Sequence, residues 1–191
     1  MKYQLFLFLI FSNVVLHSQI NKQKNWQELL YKDQKHFTVT AKTQKFKVGK
    51  FVFETTWDSN RHFTNNIWYL GGIESMKIYK DNKLLNTISK IEDALALGEI
   101  YFDFYDYNFD GYTDFSVPID SGKGVSRKFY LYNKELNQFK YYKDWDYVRI
   151  DEINKSKKQI KSIVPYNANH GTIYRYQVTG YTLKLLETNE Y

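Results

Sequence analysis

The chain has 191 residues and a formal charge of +6, and its 9 Gly and 2 Pro are about half the usual globular share, which excludes a collagen-like or linker-like polymer. Aromatic residues make up 19% of it, as 18 Tyr, 14 Phe and 4 Trp, which excludes a largely disordered chain. Of the 27 basic residues only Arg61, Arg127, Arg149 and Arg175 are arginine, the residue preferred for gripping phosphates and bases, so the positive charge speaks against nucleic-acid binding.

Residues 1–18 read as an export signal: Lys2 at the start, an apolar run at 5–11, Val14, Val15 and Leu16 beyond Ser12-Asn13, then the small Ser18. The apolar run is shorter than the ~20 residues of a spanning helix. Cleavage after Ser18 is expected to deliver a single β-rich domain, 19–191, to the periplasm or the medium. With no cysteine, the chain lacks the lipidation residue of exported lipoproteins, disulfides and any thiol nucleophile or zinc ligand.

The run 25–31 has apolar Trp26, Leu29 and Leu30 at helical spacing and predicts one or two helical turns. From there the pattern turns strand-like. Residues 47–57 predict a strand with Val48, Phe51 and Phe53 inward, and 75–79 with 84–88 predict a hairpin around the polar 80–83. Residues 91–97 are the internal candidate for a short helix. Ile100, Phe102 and Phe104 alternate with Tyr101 and Asp103, as in a strand with one buried face. Strands follow at 115–119, 129–132 with 139–142, 148–153, 160–164, 173–178 and 181–186, and Lys155, Lys157, Lys158 and Lys161 suit a polar connection. Short strands at this spacing predict an all-β fold, either an antiparallel sandwich or a propeller-like array of hairpins, with one or two short helices.

One segment, 106–114, carries recognisable chemistry. It reads D-x-N-x-D-G-x-x-D, the first nine positions of an EF-hand-type calcium loop. Oxygens at alternate positions converge on a hard cation as the backbone curls, and Gly111 allows the sharp turn. Asp106, Asn108 and Asp110 would supply side-chain oxygens, Tyr112 its carbonyl, and Asp114 a carboxylate, directly or through water. Val117 stands at position twelve in place of a bidentate Glu, so water or a further carboxylate, Asp103 or Asp120, is needed to reach the six to eight oxygens that calcium takes. The flanks are strand-like, and the affinity expected is that of an extracellular module, with Kd on the order of 10⁻⁴–10⁻³ M.

The loop, the strand after it, Ser121-Gly122-Lys123-Gly124 and the run 129–133 together resemble a family of exported bacterial calcium-loop β-proteins, related to periplasmic immunity proteins and invertebrate-type lysozyme inhibitors. The closing segments, with Tyr174, Arg175 and Tyr176 and then 181–186, extend the resemblance. It implies a partner, a secreted or periplasmic cell-wall hydrolase of the lysozyme type. In those inhibitors a Ser-Gly-x-x-Tyr loop enters the lysozyme cleft; here Ser121 and Gly122 stand in place and Val125 occupies the tyrosine position. Lys123 and Arg127 would meet the carboxylates on which such cleavage depends.

No catalytic constellation marks the chain as an enzyme. His36, His62 and His170 have no metal-ligand spacing, and no G-x-S-x-G or phosphate loop occurs. The first reading is thus a calcium-stabilised, non-enzymatic binding protein. The alternative is a glycan- or envelope-binding module using Tyr105, Tyr107, Trp145 and Tyr147. The third is a hydrolase drawing on Asp144, Asp146, Asp151 or Glu152.

Overall fold

The computed structural model describes residues 25–60, 71–89, 91, 98–118, 126–146 and 148–191. Two strands come first, β1 (Gln27–Glu28) and β2 (Lys35–Thr40). Three successive four-strand meanders follow. The front one is β3 (Lys45–Val48), β4 (Phe51–Asp58), β5 (Gly72–Lys80) and β6 (Lys83–Ser89). The middle one is β7 (Glu99–Tyr105), β8 (Asp114–Pro118), β9 (Arg127–Asn133) and β10 (Gln138–Tyr141). The rear one is β11 (Glu152–Asn154), β12 (Gln159–Pro165), β13 (Gly171–Thr179) and β14 (Thr182–Glu190). β2 adds to the middle sheet beside β7, β1 adds to the rear sheet beside β11, and every pairing is antiparallel. The chain is all-β, as its pattern of short strands predicts.

The centre of the middle sheet, β8 and β9, is buried on both faces, which the period of two on β9 makes plain. Tyr130 and Tyr132 join the front sheet in a core with Phe46, Phe53, Met76, Phe102 and Phe115, whereas Phe129 and Leu131 join Trp145, Ile160 and Val178 on the rear side. Aromatic rings fill the front interface: Phe53 lies 4.8 Å from Phe46, 5.5 Å from Phe104 and 6.0 Å from Phe115, the last two edge to face. Asn86 on β6 clips these two sheets at their edge, its amide donating to the Phe139 carbonyl at 3.0 Å and accepting from the Phe139 N–H at 3.3 Å.

Several local expectations change. The run 25–31 is no helix: Gln27 and Glu28 extend to pair with Ile153 and Glu152, and only a 3₁₀ turn, Tyr31–Asp33, follows. Helical spacing there reflects Leu29 packing on the rear core, a tertiary contact that overrides local periodicity. The single strand at 47–57 is a hairpin, β3 and β4, turning at Gly49 with φ +58; Val48, Phe51 and Phe53 are buried as expected. Asp81 and Asn82 both take positive φ, the hairpin turn that their residue types favour. The strand at 148–153 shrinks to β11, because a second 3₁₀ turn, Lys143–Trp145, drives Trp145 into the rear core just before it. Beyond Ile91, the helix candidate 91–97 lies outside the described residues, as does 1–18. Among the described residues no helix is long and apolar enough to cross a membrane.

Candidate metal centre

The loop 106–114 joins β7 to β8, two adjacent strands of the middle sheet, of which β8 is buried throughout. Its conformation follows from its residue types. Phe109 and Gly111 take φ of +58 and +88, and a Cβ on Gly111 would meet nothing within 4 Å, so backbone conformation and not space explains the glycine. The Asp106 carboxylate accepts the Asp110 and Gly111 N–H groups, each at 2.9 Å, and Asp110 accepts the Tyr112 N–H at 2.9 Å. The Asp110 bond is an Asx turn, and the Asp106 bonds reach further, to the fourth and fifth residues on, so that the loop closes over its own first carboxylate.

Asp114 is fully buried and locks the loop to the sheet. Its two oxygens accept the Tyr107 N–H at 3.0 Å and the Tyr132 N–H at 2.8 Å, so position nine ties position two to β9. Burial raises its carboxyl well above the ordinary aspartate range; the two N–H groups oppose this, and the charges of Asp110 and Asp106 add to it. Burial also raises Asp106, against the Gly111 and Asp110 N–H groups and together with the Asp110 charge. Among the described residues no ion pair reaches Asp106, Asp110 or Asp114.

Asn108 is 1% exposed. Its amide nitrogen donates to Asp110 at 3.0 Å, while its carbonyl oxygen Oδ1 is buried without a hydrogen-bond partner. An orphaned buried acceptor costs about 1–3 kcal/mol unless something binds it. As the side chains stand, no three His, Cys, Asp or Glu among the described residues gather closely enough to hold a metal ion, because the carboxylates are turned onto backbone N–H groups. Each carboxylate offers about four lone-pair sites, and Asp106 and Asp114 each use two on these N–H groups. The donor set is therefore all oxygen, partly unspent and of net negative charge, the chemistry a hard cation takes. Tyr112 packs its ring on Tyr132, with centroids 5.3 Å apart.

No family model, no curated protein and no solved structure matches this chain.

A second polar cluster shares the middle sheet, and sequence reasoning missed it. Asp103 bonds His36 Nδ1 at 2.6 Å and Arg127 Nη2 at 2.7 Å. Arg127 also donates to the Ser116 hydroxyl at 2.8 Å and to the Ser116 and Tyr101 carbonyls at 3.0 and 3.1 Å. The Ser116 hydroxyl lies 3.0 Å from that of buried Tyr107, which donates to Gln34 at 3.0 Å. Tyr107 thus belongs to both clusters, its backbone to the loop and its phenol to the sheet. Burial raises that phenol strongly, with Arg127 and Ser116 opposing, so it stays a neutral donor.

This cluster relocates several residues. Arg127 is turned inward, with 18% of its side chain exposed, and its guanidinium serves Asp103 and Ser116. Asp103 is spent on His36 and Arg127 and leaves the loop without a further carboxylate from β7. Ser121, Gly122, Lys123, Val125 and Asp120 lie outside the described residues, as do His62 and Tyr147. Tyr107 and Trp145 are 3% and 0% exposed, so neither is a surface ring for stacking. Asp151 pairs with Arg149 and accepts the Ile163 N–H, and Glu152 pairs with Lys161, structural roles for two of the acids considered for hydrolysis.

Proposed function

We propose that the chain is an exported, calcium-stabilised, non-enzymatic binding protein, an immunity protein or inhibitor directed at a lysozyme-type cell-wall hydrolase. The observation that carries the calcium part is the buried, partnerless Asn108 Oδ1 among three carboxylates that meet no cationic side chain among the described residues. Asp106, Asn108, Asp110 and Asp114, with the Tyr112 carbonyl, would hold the ion, and water would complete its shell. Bound calcium supplies positive charge that cancels the repulsion among the three acids and relieves the cost of their burial.

Export is supported by the signal-like 1–18. The partner is supported by the run from the loop through Ser121-Gly122 to 133, which resembles the inhibitor family. With Arg127 committed to Asp103, Lys123 carries the charge toward a cleft lined by catalytic carboxylates. Tethering the contact segment a few residues after the loop makes recognition depend on the ion.

The test has two arms. Calorimetric titration of the purified protein with calcium should give one site, with Kd on the order of 10⁻⁴–10⁻³ M. Residual activity of lysozyme-type muramidases should then fall as the protein is added in calcium, and recover with Ser121→Ala combined with Lys123→Glu. No heat of binding removes the calcium part, and muramidases left fully active remove the inhibitor part.

A further inference from the structure

The strand order gathers four hairpin turns around the loop 106–114. β9 runs antiparallel to β8, so the turn 134–137 reaches the loop's end of the middle sheet. The front sheet contributes Asp81-Asn82. Lys80, beside that turn, donates to the Tyr132 hydroxyl at 2.9 Å, and the same hydroxyl donates to Asn137. The rear sheet contributes 155–158 and 179–181. Lys155 Nζ lies 5.5 Å from the ring centroid of Tyr105, the residue before Asp106. Tyr181 stacks on Tyr142 at 5.2 Å, within reach of the charges of Asp110 and Glu135.

Lysines dominate these turns. Lys83, Lys134, Lys155, Lys157 and Lys158 are exposed, and none of them makes an ion pair among the described residues. Three of them share one rigid turn. Asn154 accepts the Ser156 hydroxyl at 2.9 Å and the Lys157 N–H at 3.1 Å, and Gln177 donates to the Lys157 and Lys158 carbonyls at 2.9 and 3.0 Å. The backbone is held from both sides while the lysine side chains stay exposed. At the neighbouring turn Leu136 is 57% exposed. With the residues that flank them, the turns and the loop hold Lys80 and these five lysines against Asp81, Glu135, Asp106, Asp110 and Asp114. A calcium ion in the loop therefore raises their formal charge from about +1 to about +3.

We propose that this end of the protein docks on an anionic lipid surface when calcium is bound, an inference that rests on the calcium reading of the loop. Cations spread over three turns offer a broad front to an extended surface, whereas a small anion would reach only one or two of them. Lysine suits this use, as a hydrated point charge without the bidentate fork that grips a single phosphate. Each lysine near an anionic bilayer is worth about fivefold in affinity. Leu136 adds an apolar side chain for the boundary between headgroups and acyl chains. A soluble acidic polymer shares the charge but offers Leu136 no apolar layer. Calcium removes the repulsion that the three loop acids would feel from the same surface.

The test is co-sedimentation of the purified protein with vesicles of phosphatidylcholine, alone or mixed with phosphatidylglycerol, in millimolar calcium and in chelator. Melting temperatures are recorded in the same two buffers. The protein should bind the mixed vesicles in calcium and leave pure phosphatidylcholine bare. Chelator should weaken binding on the order of tenfold, as the loss of two charges implies. Asp110→Ala in calcium should bind as weakly as wild type in chelator, which separates the loop from calcium adsorbed on the lipid. Lys155→Gln/Lys157→Gln/Lys158→Gln should weaken binding about 100-fold with its melting temperature unchanged. Equal binding by that variant, or by wild type in calcium and chelator, overturns the proposal. Polyglutamate bound as tightly as the mixed vesicles overturns the lipid assignment. If calcium raises the melting temperature while the mixed vesicles stay bare, the docking falls and the calcium site stands. If calcium does neither, both fall.

Discussion

The body of β7 and the loop that follows it make opposite electrostatic bargains. Near its middle, Asp103 is matched within the chain by His36 and Arg127 at 2.6 and 2.7 Å. Just past its end, Asp106, Asp110 and Asp114 crowd into nine residues and meet no cationic side chain among the described residues. Both clusters border the same buried Tyr107, so burial is not what separates them. The difference is that the fold supplies a counter-charge to one and only N–H dipoles to the other. Charge settled within the chain reads as architecture, and charge left open reads as a place for an ion.

The comparison breaks most sharply at Asp103. Asp103→Ala leaves Arg127 and His36 without their carboxylate and should cost about 3 kcal/mol or more, equally in calcium and in chelator. Urea unfolding in the two buffers measures this, and a loss confined to calcium would mean that the clusters are one unit. Asp114→Ala should rank next. It strands the buried Tyr107 and Tyr132 N–H groups, at about 1–3 kcal/mol each, and so destabilises the protein in chelator as well. Loss seen only in calcium would assign Asp114 to the ion alone. Tyr107→Phe removes the phenol that joins the clusters and should cost about 1 kcal/mol while leaving calcium affinity within a factor of a few.

The smallest effect is in pH. Asp106 and Asp114 are raised by burial, so the folded state holds protons that the unfolded chain releases near pH 4. Where a folded carboxyl is raised, stability is fullest below the unfolded value and is lost as pH climbs through the folded one. In chelator the melting temperature should therefore carry a downward contribution as pH rises from about 4 toward neutrality. Calcium, which binds the ionised carboxylates, should flatten that slope. Thermal melts across pH with and without calcium check this, and identical slopes would contradict it.

How much of this was legible in the sequence follows from range. The loop was, because carboxylate bonds to backbone a few residues on and a positive-φ glycine are local devices that D-x-N-x-D-G states outright. The Asp81-Asn82 hairpin was legible for the same reason. The cluster of His36, Asp103, Ser116 and Arg127 was not, since only the strand order β2-β7-β8-β9 brings those four positions together. Nor was the layering. Tyr130 to Tyr132 looks like one apolar run until sheets on both sides are known, and β1 is set by a partner more than a hundred residues away. Arg127 reads from its neighbours as a partner-facing cation but turns inward to Asp103, a residue that only the strand order brings opposite it.

The most direct measurement is the melting temperature of wild type and Asp110→Ala, each in millimolar calcium and in chelator. Asp110 bonds only within the loop, to the Tyr112 N–H and the Asn108 amide, so its removal touches neither the sheet nor the Asp103 cluster. Wild type should gain about 2.7 kcal/mol when calcium is a hundredfold above Kd, and the variant should gain nothing. A wild-type melting temperature unmoved by calcium, or a gain of equal size in Asp110→Ala, would contradict a calcium ion in the 106–114 loop.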